Sequence, residues 1–164
     1  MIVEQARPEE LGEVLAVLSE SARWLRSRGI EQWPDPFPPD RVEPSIARGE
    51  TYLVRVGGAV AGTITLRWGD PDFWGEQPPV AGYVHAIAVR REFAGLGPKL
   101  LDWAAARVRD AGRELLRLDC LSSNVALRSY YERHGFAHRG ETTVEDFRTS
   151  LYERPVGVDE KARL

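Results

Sequence analysis

A chain of 164 residues, 43% of them hydrophobic and 29% charged, is large enough to bury a real core, and its length favours one domain over two. Its N-terminus, "MIVEQARPEE", lacks the basic start and apolar run of a signal peptide, and no apolar stretch approaches the ~20 residues of a membrane-spanning helix, so a soluble cytoplasmic protein with no membrane partner is expected. A formal net charge of −3 argues against a nucleic-acid partner, and the single cysteine, Cys120, excludes an intramolecular disulfide and any Cys-rich metal site.

In chain order, residues 2–6 read as a short strand. Residues 8 to about 28 read as a helix in which Leu11, Val14, Leu15, Leu18 and Ala22 keep helical spacing, with Gly29 as its stop. The Pro-rich piece "WPDPFPPD" is a shaped loop. From about Glu50 to Leu66 the period changes to two, and "VGGA" closes a hairpin. A loop over residues 69–79 leads to "VAGYVHAIAV", apolar on both parities and therefore a central strand covered on both faces. A helix follows with Leu100, Leu101, Ala104, Val108 and Ala111 on one stripe. "ELLRLDCL" is a further strand in which Cys120 reads as a core thiol, and "SSNVALRSYYERHGF" is a short helix. Strands near 136–141 and 147–153 complete one α+β domain over 1–154, with 155–164 as a C-terminal tail. Arg107, Arg109, Arg113 and Arg117 alternate with acids and read as a solvated face.

The chemistry concentrates where the central strand ends. "AVRREFAGLGPKLL" passes from that strand through a Gly-x-Gly turn into a helix, which aims unpaired N–H groups outward at the positive end of the helix dipole and suits a phosphate. Gly95 and Gly97 permit close approach and positive φ, while Arg90, Arg91 and Lys99 add charge. A Walker A loop is absent. The dinucleotide fingerprint lacks its third glycine, where Leu100 stands, and Asp119, about twenty residues on, reads as a structural residue. The remaining option is a coenzyme A pyrophosphate site.

Two motifs then carry a resemblance that covers nearly the whole chain. "EFAGLG", residues 92–97, matches a [QR]-x-x-G-x-[GA] loop except at Glu92, and "NVALRSYYERHGF", residues 124–136, matches an N-x-x-A/L-x-x-x-Y-E-[KR]-x-G-F helix. The sequence resembles the GNAT N-acetyltransferases. The resemblance implies a mixed central sheet of about seven strands with four helices, acetyl-CoA as co-substrate, no metal, and direct transfer to the amine of a small molecule or peptide in a ternary complex. It also implies that the fourth strand splays from the fifth, so that the main chain of Ile87, Ala88 and Val89 holds pantetheine and thioester while Arg90, Arg91, Ala94, Gly95, Leu96, Gly97 and Lys99 surround the pyrophosphate. Asn124 matches the pantetheine-contacting position and also suits an N-cap. Tyr131 matches the tyrosine that gives its proton to the coenzyme thiolate, and Leu127, Tyr130, Tyr131 and His134 equally share a core-facing spacing. A monomer or homodimer fits.

An alkylammonium of pKa ~10 is only about a thousandth part free amine at neutral pH, so a deprotonation route is needed; His85 on the central strand is the first candidate base, with a satisfied core histidine, and waters relayed to a carboxylate in place of a direct base, as the alternatives. His134 and His138 read as surface or packing residues. Acceptor choice falls to the loops around residues 29–40 and 67–77, whose Trp33, Trp74 and Asp72 exemplify aromatics interleaved with acids that would select a cationic amine with an apolar body, and the tryptophans suit a loop-anchoring role equally well. The alternative reading is a catalytically silent acyl-CoA-binding module.

Overall fold

The computed structural model describes residues 1–157, and within them the mixed sheet holds seven strands in the order β1-β2-β3-β4-β5-β7-β6. The elements in chain order are β1 (Ile2–Gln5), α1 (Leu11–Ser27), α2 (Glu43–Ala47), β2 (Thr51–Val56), β3 (Ala59–Arg67), α3 (Pro71–Trp74), β4 (Ala81–Val89), α4 (Gly97–Asp110), β5 (Leu115–Leu121), α5 (Val125–Arg133), β6 (Ala137–Val144) and β7 (Phe147–Pro155). The expected α+β architecture is present. Two one-turn helices are not among the expected elements, α3 in a segment that reads as loop and α2 in one with no element assigned, because each is opened by a proline in its first turn and is too short to establish a 3.6-residue period. The expected tail from residue 155 starts inside structure: Pro155 ends β7, and buried Val156 donates its N–H to the Glu114 carbonyl at 3.0 Å. The rest of that tail, 158–164, lies outside the described residues.

The described residues form two compact units, one of residues 1–66 with 86–97 and the other of residues 67–85 with 98–157, so that β4 contributes its second half to the first and its first half to the second. In the first unit β1 and β3 flank β2 antiparallel, and α1 buries Val14, Val17, Leu18 and Ala22. Its core joins Val14, Val17 and Leu18 to Phe37, Val42, Ile46, Leu53 and Ala88. Gly62 of β3 is the point of closest backbone approach, since a Cβ built there would stand 2.6 Å from the Ala88 carbonyl oxygen and 3.4 Å from Val89 Cα. The same approach is held by the Arg90 N–H, which donates to the Ala61 carbonyl at 2.8 Å.

In the second unit β4 pairs parallel with β5 across Ala81↔Leu115, Gly82↔Leu116 and Tyr83↔Arg117, and the intervening helix α4 supplies the crossover that a parallel pair requires. β5 continues antiparallel to β7, and β7 to β6. α4 buries Leu100, Leu101, Ala104, Ala105 and Val108, and β5 buries Leu116, Leu118 and Cys120 on alternate positions, which leaves Arg117 and Asp119 on the opposite face. Of the four arginines read as a solvated face, Arg107 is exposed and the other three depart from it: Arg117 is 7% exposed, Arg109 donates to the Val156 carbonyl, and Arg113 donates to those of Trp68 and Ala81.

Gly62→Ala should destabilise the protein by about 1–3 kcal/mol, because the added methyl must push β3 from the β4 main chain. Gly12→Ala, in open space on α1, should instead be neutral or gain up to ~1 kcal/mol of helix propensity. Thermal unfolding of the two variants checks the contrast, and equal midpoints would contradict it.

Candidate active site

The glycine turn belongs to the first unit. Past Val89 the chain makes a 3-10 turn over Arg91–Phe93, reaches Gly95 at φ 104°, and enters α4 at Gly97. The positive φ expected at both glycines is therefore used at Gly95, whereas Gly97 is the first helical residue, followed by Pro98. Phe93, Ala94 and Leu96 bond their N–H groups inside the turn, and the first turn of α4 has the N–H groups of Gly97 and Lys99 without intrahelical acceptors. Ile87 and Val89 are half-buried and Ala88 buried; because Arg90 bonds toward β3, strand alternation sends the N–H and C=O of Val89 and Ile87 to the opposite edge. Arg90 lies 3.5 Å from a Glu20 carboxylate oxygen and 3.7 Å from one of Glu92, and the Arg91 guanidinium stacks over Trp24 at 4.0 Å. Both arginines thus tie the turn to its surroundings, and exposed Glu92 has a cation beside it. Ala94 and Lys99 are exposed, and Leu96 is half-buried. Trp33, one of the two acceptor-loop tryptophans, packs against the core of this unit with its ring edge-on to Phe37 at 6.1 Å.

A second constellation stands in the other unit, on the face of β4 and β5 that carries Tyr83, His85, Arg117 and Asp119. The β4–β5 ladder ends at Tyr83↔Arg117, so His85 and Asp119, two residues further along each strand, are outside it. At the start of α3, Asp70 occupies the N-cap position without capping the helix; it is buried, and its Oδ2 lies 2.9 Å from His85 Nε2. Asp119 Oδ2 lies 4.0 Å from His85 Nδ1. The 2.9 Å approach has the distance of an ion pair but lacks hydrogen-bond alignment, and Asp70 Oδ2, His85 Nε2 and Asp119 Oδ2 are all buried without a hydrogen-bond partner. Burial pushes the Asp119 carboxyl up to about 6, His85 opposing the shift and the Asp70 charge adding to it. With ligand atoms within 4.8 Å of one another, these three side chains are also the group that could hold a metal ion among the described residues.

Helix α3 covers this face with aromatics. The Phe73 ring is 5.8 Å from that of His85, and Trp74 lies over the Arg117 guanidinium at 4.5 Å and beside Tyr83 at 6.0 Å. Arg117 is held by Glu153 at 3.0 Å, by the Tyr83 hydroxyl at 2.9 Å and by Gln77 at 3.2 Å. Asp72, named from the sequence as the acceptor-selecting acid, is exposed on α3, and the carboxylate that meets His85 is Asp70, two residues earlier.

Helix α5 opens on Asn124, which is buried and accepts the Leu127 N–H at 3.2 Å, as an N-cap should. The Tyr131 ring is buried among Tyr130, Phe136 and Tyr152 at centroid distances of 5.7, 5.6 and 6.2 Å. Burial, with Cys120 and Asp119 nearby, drives its hydroxyl far above the ordinary phenol range. Tyr130 is half-buried and stacks on His134 at 4.5 Å, while His138 packs on Tyr152 at 5.3 Å.

The structure thus gathers His85, Trp74 and the two aspartates on one face and gives Tyr131 a buried setting next to Asp119, while Trp33 serves a core. What the sequence reading missed was the convergence of Asp70 and Asp119. The signals were present: an Asp-Pro at a strand end opening an aromatic turn, and an aspartate on the face of β5 opposite Cys120.

The model of the Acetyltransferase (GNAT) family matches residues 18–136. The uncharacterized N-acetyltransferase YesJ of Bacillus subtilis strain 168 is 30% identical over 143 residues, 80% of this chain and 79% of that one. Among solved structures, a GNAT-family acetyltransferase of Listeria monocytogenes is 29% identical with a TM-score of 0.77 over 94% of each chain. The PaiA N-acetyltransferase of Thermoplasma acidophilum, solved in complex with coenzyme A, has a TM-score of 0.71 at 16% identity over 94% of this chain and 98% of that one. The chain belongs to the GNAT family and is an N-acetyltransferase of that family.

Because burial pushes the Asp119 carboxyl from its ordinary 3.8 up to about 6, the folded protein loses stability above pH 6, and the cost fades as pH falls toward 4 and the folded protein takes up the proton. Asp119→Asn should therefore stabilise the chelator-treated protein by about 1–3 kcal/mol at pH 8 and hardly at all near pH 4. Urea unfolding at the two pH values measures this, and a difference that does not change with pH would contradict the assignment.

Proposed function

We propose that the protein transfers the acetyl group of acetyl-CoA directly to the amine of a small molecule or peptide within a ternary complex. The observation that carries this reading is His85 set between two carboxylates whose facing oxygens are buried and have no hydrogen-bond partner. In the proposal the orphan N–H groups of the glycine turn take the pyrophosphate, with Lys99 adding charge, and the free edge of Ile87 and Val89 takes pantetheine and the thioester carbonyl. The acceptor enters as an ammonium over the face formed by Phe73, Trp74 and His85, where aromatic surface and carboxylates favour a cation with an apolar body. His85 removes one ammonium proton, the amine nitrogen attacks the thioester carbon, and as the carbon–sulfur bond breaks the nitrogen gives up a second proton to solvent to leave the neutral amide. Tyr131 donates a hydrogen bond to the departing sulfur. Its raised pKa makes full proton transfer to a thiolate uphill, so the phenol stabilises charge on sulfur and the thiol's final proton comes from the solvent pool, where His85 returns its own.

Direct attack is favoured over an acyl-enzyme because the sole cysteine offers no nucleophile: burial, with Asp119 adding, pushes the Cys120 thiol up to about 12. Asn124 keeps both of its assignments, N-cap and pantetheine contact. Trp33 is left out of the acceptor site, since it anchors its own loop in a hydrophobic core. A cytoplasmic setting suits a reaction that consumes acetyl-CoA, and among the described residues no helix is long and apolar enough to cross a membrane.

Thiol release from acetyl-CoA across a panel of amines tests the reading, together with calorimetric binding of acetyl-CoA. In His85→Gln, kcat/KM for the amine should fall ~10²-fold or more near pH 7 and recover as pH approaches the acceptor's own pKa of ~10, where free amine is abundant. Tyr131→Phe should lose ~10²-fold in kcat with little change in either Michaelis constant, and Tyr130→Phe should be nearly silent. Coenzyme binding with no amine-dependent thiol release would leave the silent acyl-CoA-binding module as the better account.

A further inference from the structure

We propose that Asp70, His85 and Asp119 form a binding site for a divalent transition-metal ion. Three buried polar atoms on three separate elements converge without partners: Asp70 Oδ2 at the head of α3, His85 Nε2 on β4 and Asp119 Oδ2 on β5. Leaving each such atom unpaired costs about 1–3 kcal/mol, more where it is charged, so the arrangement calls for a guest that satisfies all three at once. The guest must be cationic, because two of the three atoms are carboxylate oxygens and the third is an imidazole nitrogen.

Spacing selects the kind of cation. Asp70 Oδ2 and His85 Nε2 are 2.9 Å apart. An ion bound at the 2.0–2.1 Å typical of zinc–nitrogen and zinc–oxygen bonds would see that pair at about 90°, a normal angle between neighbouring ligands. An ammonium aims its hydrogens roughly 110° apart at acceptors about 2.8 Å away, and so wants acceptors some 4.6 Å apart, too far for this pair. Because one ligand atom of each residue, a ring nitrogen of His85 and a carboxylate oxygen of each aspartate, lies within 4.8 Å of the other two, some point is within roughly 2.8 Å of all three, and side-chain rotations of well under 1 Å close that to bonding distance.

The ligand set is one imidazole and two carboxylates with no thiolate, since Cys120 lies buried on the other parity of β5. That chemistry suits zinc, cobalt or manganese and disfavours copper(I). Three protein ligands leave further coordination positions to water. The Phe73 ring, 5.8 Å from that of His85, supplies an apolar wall on one side.

Binding as such does not depend on the acetyl-transfer mechanism. One consequence rests on the reading of His85 as base: an ion on its imidazole takes the lone pair that the acceptor's proton needs. The metal then inhibits transfer in competition with the amine and not with acetyl-CoA.

The test uses untagged full-length protein, stripped with EDTA and desalted, titrated with ZnCl2 by calorimetry, and with CoCl2 followed by visible absorption. One Zn2+ per chain is expected. Asp70→Asn, His85→Gln and Asp119→Asn should each weaken it at least tenfold, Asp72→Asn, the exposed neighbour, should leave it unchanged, and circular dichroism should verify that each variant is folded. The cobalt bands should be lost in the same three variants. No saturable zinc binding, or binding that survives all three substitutions, would overturn the site. Zinc that binds as described without amine-competitive inhibition supports the site and counts against His85 as the base, so the two claims fail separately.

Discussion

The parallel ladder between β4 and β5 lasts for three residue pairs and stops at Tyr83↔Arg117, and three residues later Ala86 adopts φ 46°. A non-glycine residue in that region costs roughly 1–2 kcal/mol, so the departure of β4 from regular pairing is held in place by its surroundings. On the far side of Ala86 the strand is fastened again, by the Arg90–Ala61 hydrogen bond and the bare backbone contact that Gly62 permits. One strand therefore changes role along its length. Its first half is ordinary sheet, and its second half has a main-chain edge at Ile87 and Val89 whose polar groups β3 does not use.

The side chains around His85 show the same exchange of stability for chemistry. Ladder pairing would have fixed His85 and Asp119 as neighbours on a finished sheet face. Instead they stand beyond the ladder with Asp70, which forgoes capping α3 to approach the imidazole. Burial without alignment leaves three polar atoms unsatisfied and raises the Asp119 carboxyl toward neutrality. Arg117, one register step away, makes the opposite choice: Glu153, Gln77, the Tyr83 hydroxyl and the face of Trp74 absorb its donors and charge, so it acts as a support beneath the aromatic cover. The contrast between a satisfied arginine and three orphaned groups on one face separates structural from reactive polarity.

Much of this was legible in the sequence, for physical reasons. The two-residue period of β2 and β3, the stripe of α1 and the doubly apolar β4 follow from which faces are buried, and the glycine turn and the Asn-led helix carry spacings that backbone geometry demands. What escaped were features too short or too three-dimensional to leave a period. α3 is a single turn opened by Pro71, and its placement makes Asp70 the buried acid while Asp72 faces water. Asp119 looked structural because only its register with β4 brings it to His85. Trp33 and Trp74 have similar loop contexts, yet one fills a core and the other lies on a guanidinium, a difference set by tertiary packing alone.

The central claim is that the second half of β4 keeps a free main-chain edge for the acyl coenzyme. Amide hydrogen exchange, resolved by residue with and without acetyl-CoA, addresses it most directly. Ile87 and Val89 should exchange readily in the free protein and become protected when acetyl-CoA is added, as should Gly97 and Lys99 in the turn. Arg90, already bonded to Ala61, and Gly82 and Tyr83, inside the ladder, should not change. Protection confined to other strands, or Ile87 and Val89 already protected in the free protein and indifferent to the coenzyme, would contradict the account.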